Sequence, residues 1–169
     1  WMMGIVGAAG LFLSIIVHEF SHSLVARRGG MPMKGITLFI FGGVAEMGDE
    51  PPGPGTELRM AVAGPLASIA IALVFYGLYA VGGWIPVPAR AVIGYLALIN
   101  GLLAGFNLVP AFPMDGGRVL RAILWGKFEN IKKATNIASK VGKVIAFLLI
   151  AFGAMTAFAG NIVGGIWYI

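Results

Sequence analysis

The sequence predicts an all-α polytopic membrane protein, a bundle of about five to six transmembrane helices with a short re-entrant β-hairpin. Three observations carry this. The 169-residue chain is 59% hydrophobic and 11% charged, against roughly a quarter charged residues in soluble domains. Its apolar residues fall in long runs, with the cations gathered in the polar segments between them. At about 20 residues per span, a chain of this length has room for five or six crossings.

The first run, Gly4 to Ala26, ends at Arg27-Arg28-Gly29-Gly30, where cations suit a helix C-terminus and glycines stop the helix. A signal peptide places its basic residues first and a small-residue cleavage site last. Here the order is reversed, so the run is a retained span. Met33 to Met47 is apolar, rich in β-branched and aromatic residues, interrupted by Gly42-Gly43 and too short to span as a helix. It reads as a hairpin or re-entrant strand pair. Non-helical backbone at membrane depth is tolerated only against protein or a water-filled cavity, so strands there imply a cavity. Asp49 to Gly55 is a polar, turn-forming linker.

Leu58 to Gly82 is the second span, with Gly64-Pro65 and Ser68 as small or kinking residues suited to close helix contact. Gly83 to Pro88 is a short turn with an interfacial Trp84. Ala89 to Val109 is the third span, broken by Pro110 and Pro113 before Asp115-Gly116-Gly117-Arg118. Val119 to Phe128 suits a short amphipathic helix, and Glu129 to Lys143 a basic, water-facing segment. Val144 to Ala159 is the last full run, and Asn161 to Ile169 is either the start of a further span or a trimmed terminus. No internal repeat occurs at a fixed period. The expectation is a single domain over 1–169, open to truncation at both ends.

The net charge of +5 does not indicate a nucleic-acid partner, because basic residues flanking apolar spans are the ordinary mark of cytoplasmic loops. Threading the spans alternately puts Arg27, Arg28, Arg59, Arg118, Arg121 and the lysines on one side and only Arg90 on the other, so the C-terminal end of the first span is expected to be cytoplasmic. The chain has no cysteine, which excludes thiolate nucleophiles, thiolate metal ligands and disulfides. The lipid bilayer is the implied surrounding, and nothing in the sequence sets an oligomeric state.

Both histidines lie within His18-Glu19-Phe20-Ser21-His22, an HExxH pattern. Residues four apart share a helix face, so two imidazoles can bind one Zn²⁺, with Glu19 beside them as general base toward a water at the metal. Ionisable residues within a span are expensive and mark function. A polar cluster that only pairs helices is the plainer reading, but a single Ser or Asn would do that at lower desolvation cost.

A catalytic zinc takes three protein ligands and leaves a position open. The candidates for the third are Glu46, Asp49, Glu50, Glu57, Asp115 and Glu129. Asp49, Glu50, Glu57 and Glu129 sit in polar segments and are expected to be solvated. Asp115 follows an apolar helix and is placed by Pro113 and two glycines, which makes it the first choice, with Glu46 second. Its other reading is an N-cap for the helix that follows.

These residues resemble the site-2 proteases, intramembrane zinc metalloproteases that release membrane-tethered regulators. HEFSH at 18–22 corresponds to that family's HExxH, and the run from Asn107 to Gly116, NLVPAFPMDG, matches its NxxPxxxxDG pattern. Met114 stands where the family often has Leu. Ala63-Gly64-Pro65 with Ser68 is similar to the family's small-residue GP motif, in which Asn often takes the place of this Ser. The resemblance implies that Asp115 is the third zinc ligand and that Asn107 faces the active site to bind the scissile carbonyl. An interhelical hydrogen bond is the alternative use of Asn107. The resemblance also implies transmembrane protein substrates, such as membrane-bound transcription regulators.

At about 1.5 Å rise per residue, His18 lies roughly 13 Å and His22 about 7 Å from Arg27. The zinc is therefore expected within the hydrocarbon core, nearer the cytoplasm, in a wet cavity. A substrate helix must be locally extended before cleavage, and residues 36–45 can pair with it by strand addition or serve as a structural re-entrant loop. The competing function is a transmembrane metal transporter or channel. That would call for ligands at several depths along a path.

Overall fold

The computed structural model describes residues 1–30, 33–39, 42–47, 51–161 and 164, the two segments between 33 and 47 by their backbone alone. Among the described residues, five helices and two strands follow in the order α1 Met2–Arg28, β1 Met33–Phe39, β2 Gly42–Met47, α2 Pro54–Val81, α3 Val87–Asn107, α4 Asp115–Phe128 and α5 Ile131–Phe158. β1 and β2 form a two-stranded antiparallel sheet, with Ile36 opposite Ala45 and Phe39 opposite Gly42. The sheet lies beside α1.

Among the described residues, four helices (α1, α2, α3 and α5) are long and apolar enough to cross a membrane, with mean hydropathies between 1.6 and 2.1. The expectation of five to six spans is corrected on this point. The spanning helices run to 28 residues rather than 20, α4 has only 14, and part of the chain is spent on the strand pair. Residues 161–169, read as either the start of a further span or a trimmed terminus, fall largely outside the described residues. The segment expected to be basic and water-facing, Glu129 to Lys143, supplies from residue 131 on the first half of α5, with Lys132, Lys133, Lys140 and Lys143 exposed. The break falls at Glu129, whose left-handed φ of 53° ends α4. Asn130 then caps α5, its side chain accepting from the Lys133 amide at 2.9 Å.

The packing is inverted relative to a soluble bundle. On α1 the buried positions are Gly7, Ser14, His18, His22, Ser23 and Ala26, small or polar residues at near-four-residue spacing, while Phe12, Leu13 and Phe20 are more than half exposed. Such a helix presents its large apolar side chains to lipid and lets neighbouring backbones approach on its small face. Gly10 packs against the Leu96 side chain of α3 and Gly29 against Thr56 of α2. Ser14 Oγ accepts from Asn100 Nδ2 of α3 at 3.0 Å. These contacts make α1 antiparallel to α2 and parallel to α3, the arrangement that alternate threading requires. α4 packs on α2 and α5 on α4.

Candidate metal centre

One turn separates His18 from His22, and both imidazoles are turned into the bundle, 2% and 9% exposed. α2 crosses α1 there at Gly64-Pro65. Proline has no amide to give to the carbonyl four residues back, so the hydrogen-bond ladder of α2 is interrupted at Ala61, beside the carbonyl that the site uses. His22 Nδ1 lies 2.7 Å from Met60 O. A carbonyl only accepts, so Nδ1 carries the proton and Nε2 keeps its lone pair. His18 Nδ1 lies 2.9 Å from Ser68 Oγ, and donation to that hydroxyl leaves the second Nε2 lone pair free in the same way. Ring partners of this kind fix the tautomer of metal-binding histidines.

Gly64 makes the crossing possible. A Cβ at this position would collide with His22 Nε2 and would stand 2.6 Å from His18 Nε2. The α2 backbone therefore walls the two imidazoles directly.

Asp115 arrives from the other side. α3 ends at Asn107, and a proline-containing loop leads to Met114, whose extended backbone (φ −68°, ψ 159°) is the N-cap of α4. Asp115 is thus the first residue of α4, and the N-cap position that is its alternative reading belongs to Met114. Side chains at Gly116 or Gly117 would meet the backbone of Leu108, Val109, Ala111 and Phe112. These two glycines let the first turn of α4 fold tightly under the loop, which brings the Asp115 carboxylate to α1. Its Oδ2 lies 3.1 Å from both imidazole Nε2 atoms, which are 3.2 Å from each other.

Two imidazole lone pairs and a carboxylate oxygen thus stand at the corners of a nearly equilateral triangle. Such a set repels itself unless a proton or cation lies among them. Tetrahedral zinc with bonds of about 2.0–2.1 Å holds its ligand atoms about 3.3 Å apart, so the residues present fit that ion. Among the described residues, His18, His22 and Asp115 form the group able to hold a metal, one ligand atom from each within 4.8 Å of the others.

The other candidates are placed differently. Glu19 is half-buried on α1 and acts electrostatically on His22. Asn107 is half-buried at the end of α3, and its Nδ2 donates to Leu103 O of its own helix at 2.9 Å. The side chains of Glu46, Asp49 and Glu50 lie outside the described residues. Glu129 is exposed, as expected. Glu57 corrects the expectation of a solvated side chain: it is fully buried and ion-paired with Arg121 of α4. Its burial comes from the docking of α4, which no local pattern announces. The buried Asn100 also lay beyond the sequence reading, although an amide inside an apolar run was its signal.

Among the described residues, four membrane-length helices, with HExxH on one and a distant Asp brought to it by the shorter α4, define a membrane protein with a candidate metal centre inside its bundle. The sequence profile of Peptidase family M50 matches residues 6–90 and 80–149, and the chain belongs to that family. It is 40% identical over 169 residues to Rip3 of Mycobacterium tuberculosis, named as a candidate zinc metalloprotease, covering 99% of this chain and 43% of that protein. It is 44% identical over 148 residues to the zinc metalloprotease MJ0392 of Methanocaldococcus jannaschii, covering 86% of this chain and 42% of that protein. The solved site-2 protease from Methanocaldococcus jannaschii superposes with a TM-score of 0.71 at 39% identity, covering 95% of this chain and 72% of that one. The chain spans less than half the length of the two curated relatives.

Proposed function

We propose that the whole protein is an intramembrane zinc metalloprotease that hydrolyses peptide bonds within or near transmembrane segments of membrane-tethered regulatory proteins. The observation that carries this reading is the triangle of His18 Nε2, His22 Nε2 and Asp115 Oδ2, with Glu19 on the same helix. Bound there, zinc would lower the pKa of water and polarise the scissile carbonyl. Glu19 takes the proton of the attacking water and passes it to the leaving amine. Met60 O and Ser68 hold the imidazole rings so that both Nε2 atoms face Asp115 Oδ2, the three atoms that would hold the ion. Asn107 turns its amide from Leu103 O to the developing oxyanion when substrate is present. A metal transporter would place ligands at several depths, whereas this cluster occupies one.

The test is metal removal. Stripping zinc with a strong chelator is expected to stop cleavage of a model transmembrane substrate, and stoichiometric Zn²⁺ is expected to restore it. Cleavage that survives complete metal loss, or metal flux across liposomes without cleavage, would overturn the proposal.

The cavity opens toward the cytoplasm in this proposal. α1 ends at Arg27-Arg28, and the exposed lysines 132, 133, 140 and 143 line the first part of α5, the side that basic residues favour. α5, at about 1.5 Å per residue, is longer than the roughly 30 Å hydrocarbon core, which leaves that part free to stand out of it. β1 and β2 form the re-entrant hairpin against α1, and a two-stranded sheet offers an outer edge on which an extended substrate can be held. Because the chain lacks cysteine, single cysteines report the sidedness. In intact cells an impermeant maleimide is expected to label Trp84→Cys and not Lys132→Cys, and the reverse pattern would invert the orientation.

A further inference from the structure

Arg121 of α4 donates from Nε to Glu57 Oε1 at 2.7 Å, and its Nη2 reaches the same oxygen. Glu57, in the first turn of α2, is 0% exposed, and its Oε2 has no hydrogen-bond partner among the described residues. The guanidinium also lies over the ring of Phe112, 5.6 Å from its centroid. One cation therefore joins α2, α4 and the loop between α3 and α4.

Those three pieces are the ones that place the third ligand. Asp115 opens α4 three residues after Phe112, and Glu57 precedes by less than a turn the Met60 carbonyl that holds His22. A buried ion pair is a poor source of stability, because desolvation offsets most of its attraction. It is a good source of register, because the guanidinium fork is rigid and directional. The fully buried residues of α4 are the small Gly116, Gly117 and Ala122, so the ion pair adds a directional contact to packing between small surfaces.

We propose that Glu57 and Arg121 form a positioning pair that sets the place of Asp115 relative to the two imidazoles, and through it the affinity for zinc. This rests on the reading of the triad as a zinc site.

The experiment measures zinc affinity by chelator competition, together with thermal stability, in the full-length protein and in an Asp115→Asn background. Arg121→Met and Glu57→Gln are each expected to weaken zinc binding about 10-fold or more when Asp115 is present. In the Asp115→Asn protein they are expected to weaken it less than about twofold, because no third ligand remains to be placed. If Arg121→Met does not fold, the double variant Glu57→Leu/Arg121→Met removes both charges and keeps the helices packed. It is expected to melt near the wild type and still to bind zinc weakly. Affinities unchanged by these substitutions, or lowered equally in both backgrounds, would overturn the positioning role. Failure of the underlying reading looks different: Asp115→Asn itself would leave zinc affinity unchanged.

Discussion

Glu19→Gln is expected to lower peptide cleavage by roughly 10²–10⁴-fold, the usual contribution of a positioned general base, while bound zinc stays near one per chain. The two effects separate because Glu19 is not part of the ligand triangle, which is made by His18, His22 and Asp115 alone. Gln keeps the size of the side chain and its place one residue after His18, so α1 and the imidazoles keep their packing. It loses the ability to accept a proton, and with it the route from attacking water to leaving amine. Metal analysis of the purified variant, paired with cleavage of a model transmembrane substrate, reads both quantities on one sample. Full activity would remove Glu19 from the mechanism. A parallel loss of zinc would make it a structural residue of α1.

What the sequence shows of this site follows how local each part is. His18, Glu19 and His22 are legible because a four-residue spacing on a helix fixes a shared face whatever surrounds it. Asp115 is legible as a candidate because Pro113, Gly116 and Gly117 mark a built corner, though its arrival within 3.1 Å of both imidazoles needs α4 to turn back onto α2. Glu57 shows the limit. A carboxylate beside Arg59 and a glycine-proline linker reads as solvated, and only the docking of Arg121, 64 residues later, buries it.

The span count errs for a related reason. Composition measures how much apolar chain there is and does not say where a helix continues past the lipid. Lys132, Lys133, Lys140 and Lys143 resemble the end of a span, yet Lys is a good helix former and α5 runs through them without a break. The fold class, by contrast, needs only the long apolar runs, and those are plain in the chain.

Gly64→Ala is expected to cost more than about 100-fold in zinc affinity and to abolish cleavage with it, a larger effect than removal of a single partner beyond the ligands, which typically costs about 10–100-fold. The added methyl would overlap His22 Nε2 and stand 2.6 Å from His18 Nε2 and 2.7 Å from His18 Cδ2, in the space that the ligand atoms need to face a metal. Either α2 retreats, which breaks the bond between Met60 O and His22 Nδ1, or the imidazoles rotate away from Asp115. The triangle opens in both cases.

Two other glycines separate this from ordinary helix packing. At Gly10 the added atom would meet only the flexible end of Leu96, 2.8 Å away, so Gly10→Ala is expected to cost at most about 1–3 kcal/mol of overpacking and to leave zinc bound. At Gly77, on the same helix as Gly64, nothing lies within 4 Å, and Gly77→Ala is expected to stabilise α2 by about 0.5–1 kcal/mol. Zinc content, chelator-competition affinity and thermal stability across the three variants decide the matter. A Gly64→Ala protein that binds zinc like the wild type would mean that α2 does not wall the site, and the approach of its backbone to the imidazoles would lose its functional meaning. Loss of zinc at Gly64 alone, with Gly10→Ala and Gly77→Ala still loaded, ties the missing side chain to the room that the metal needs.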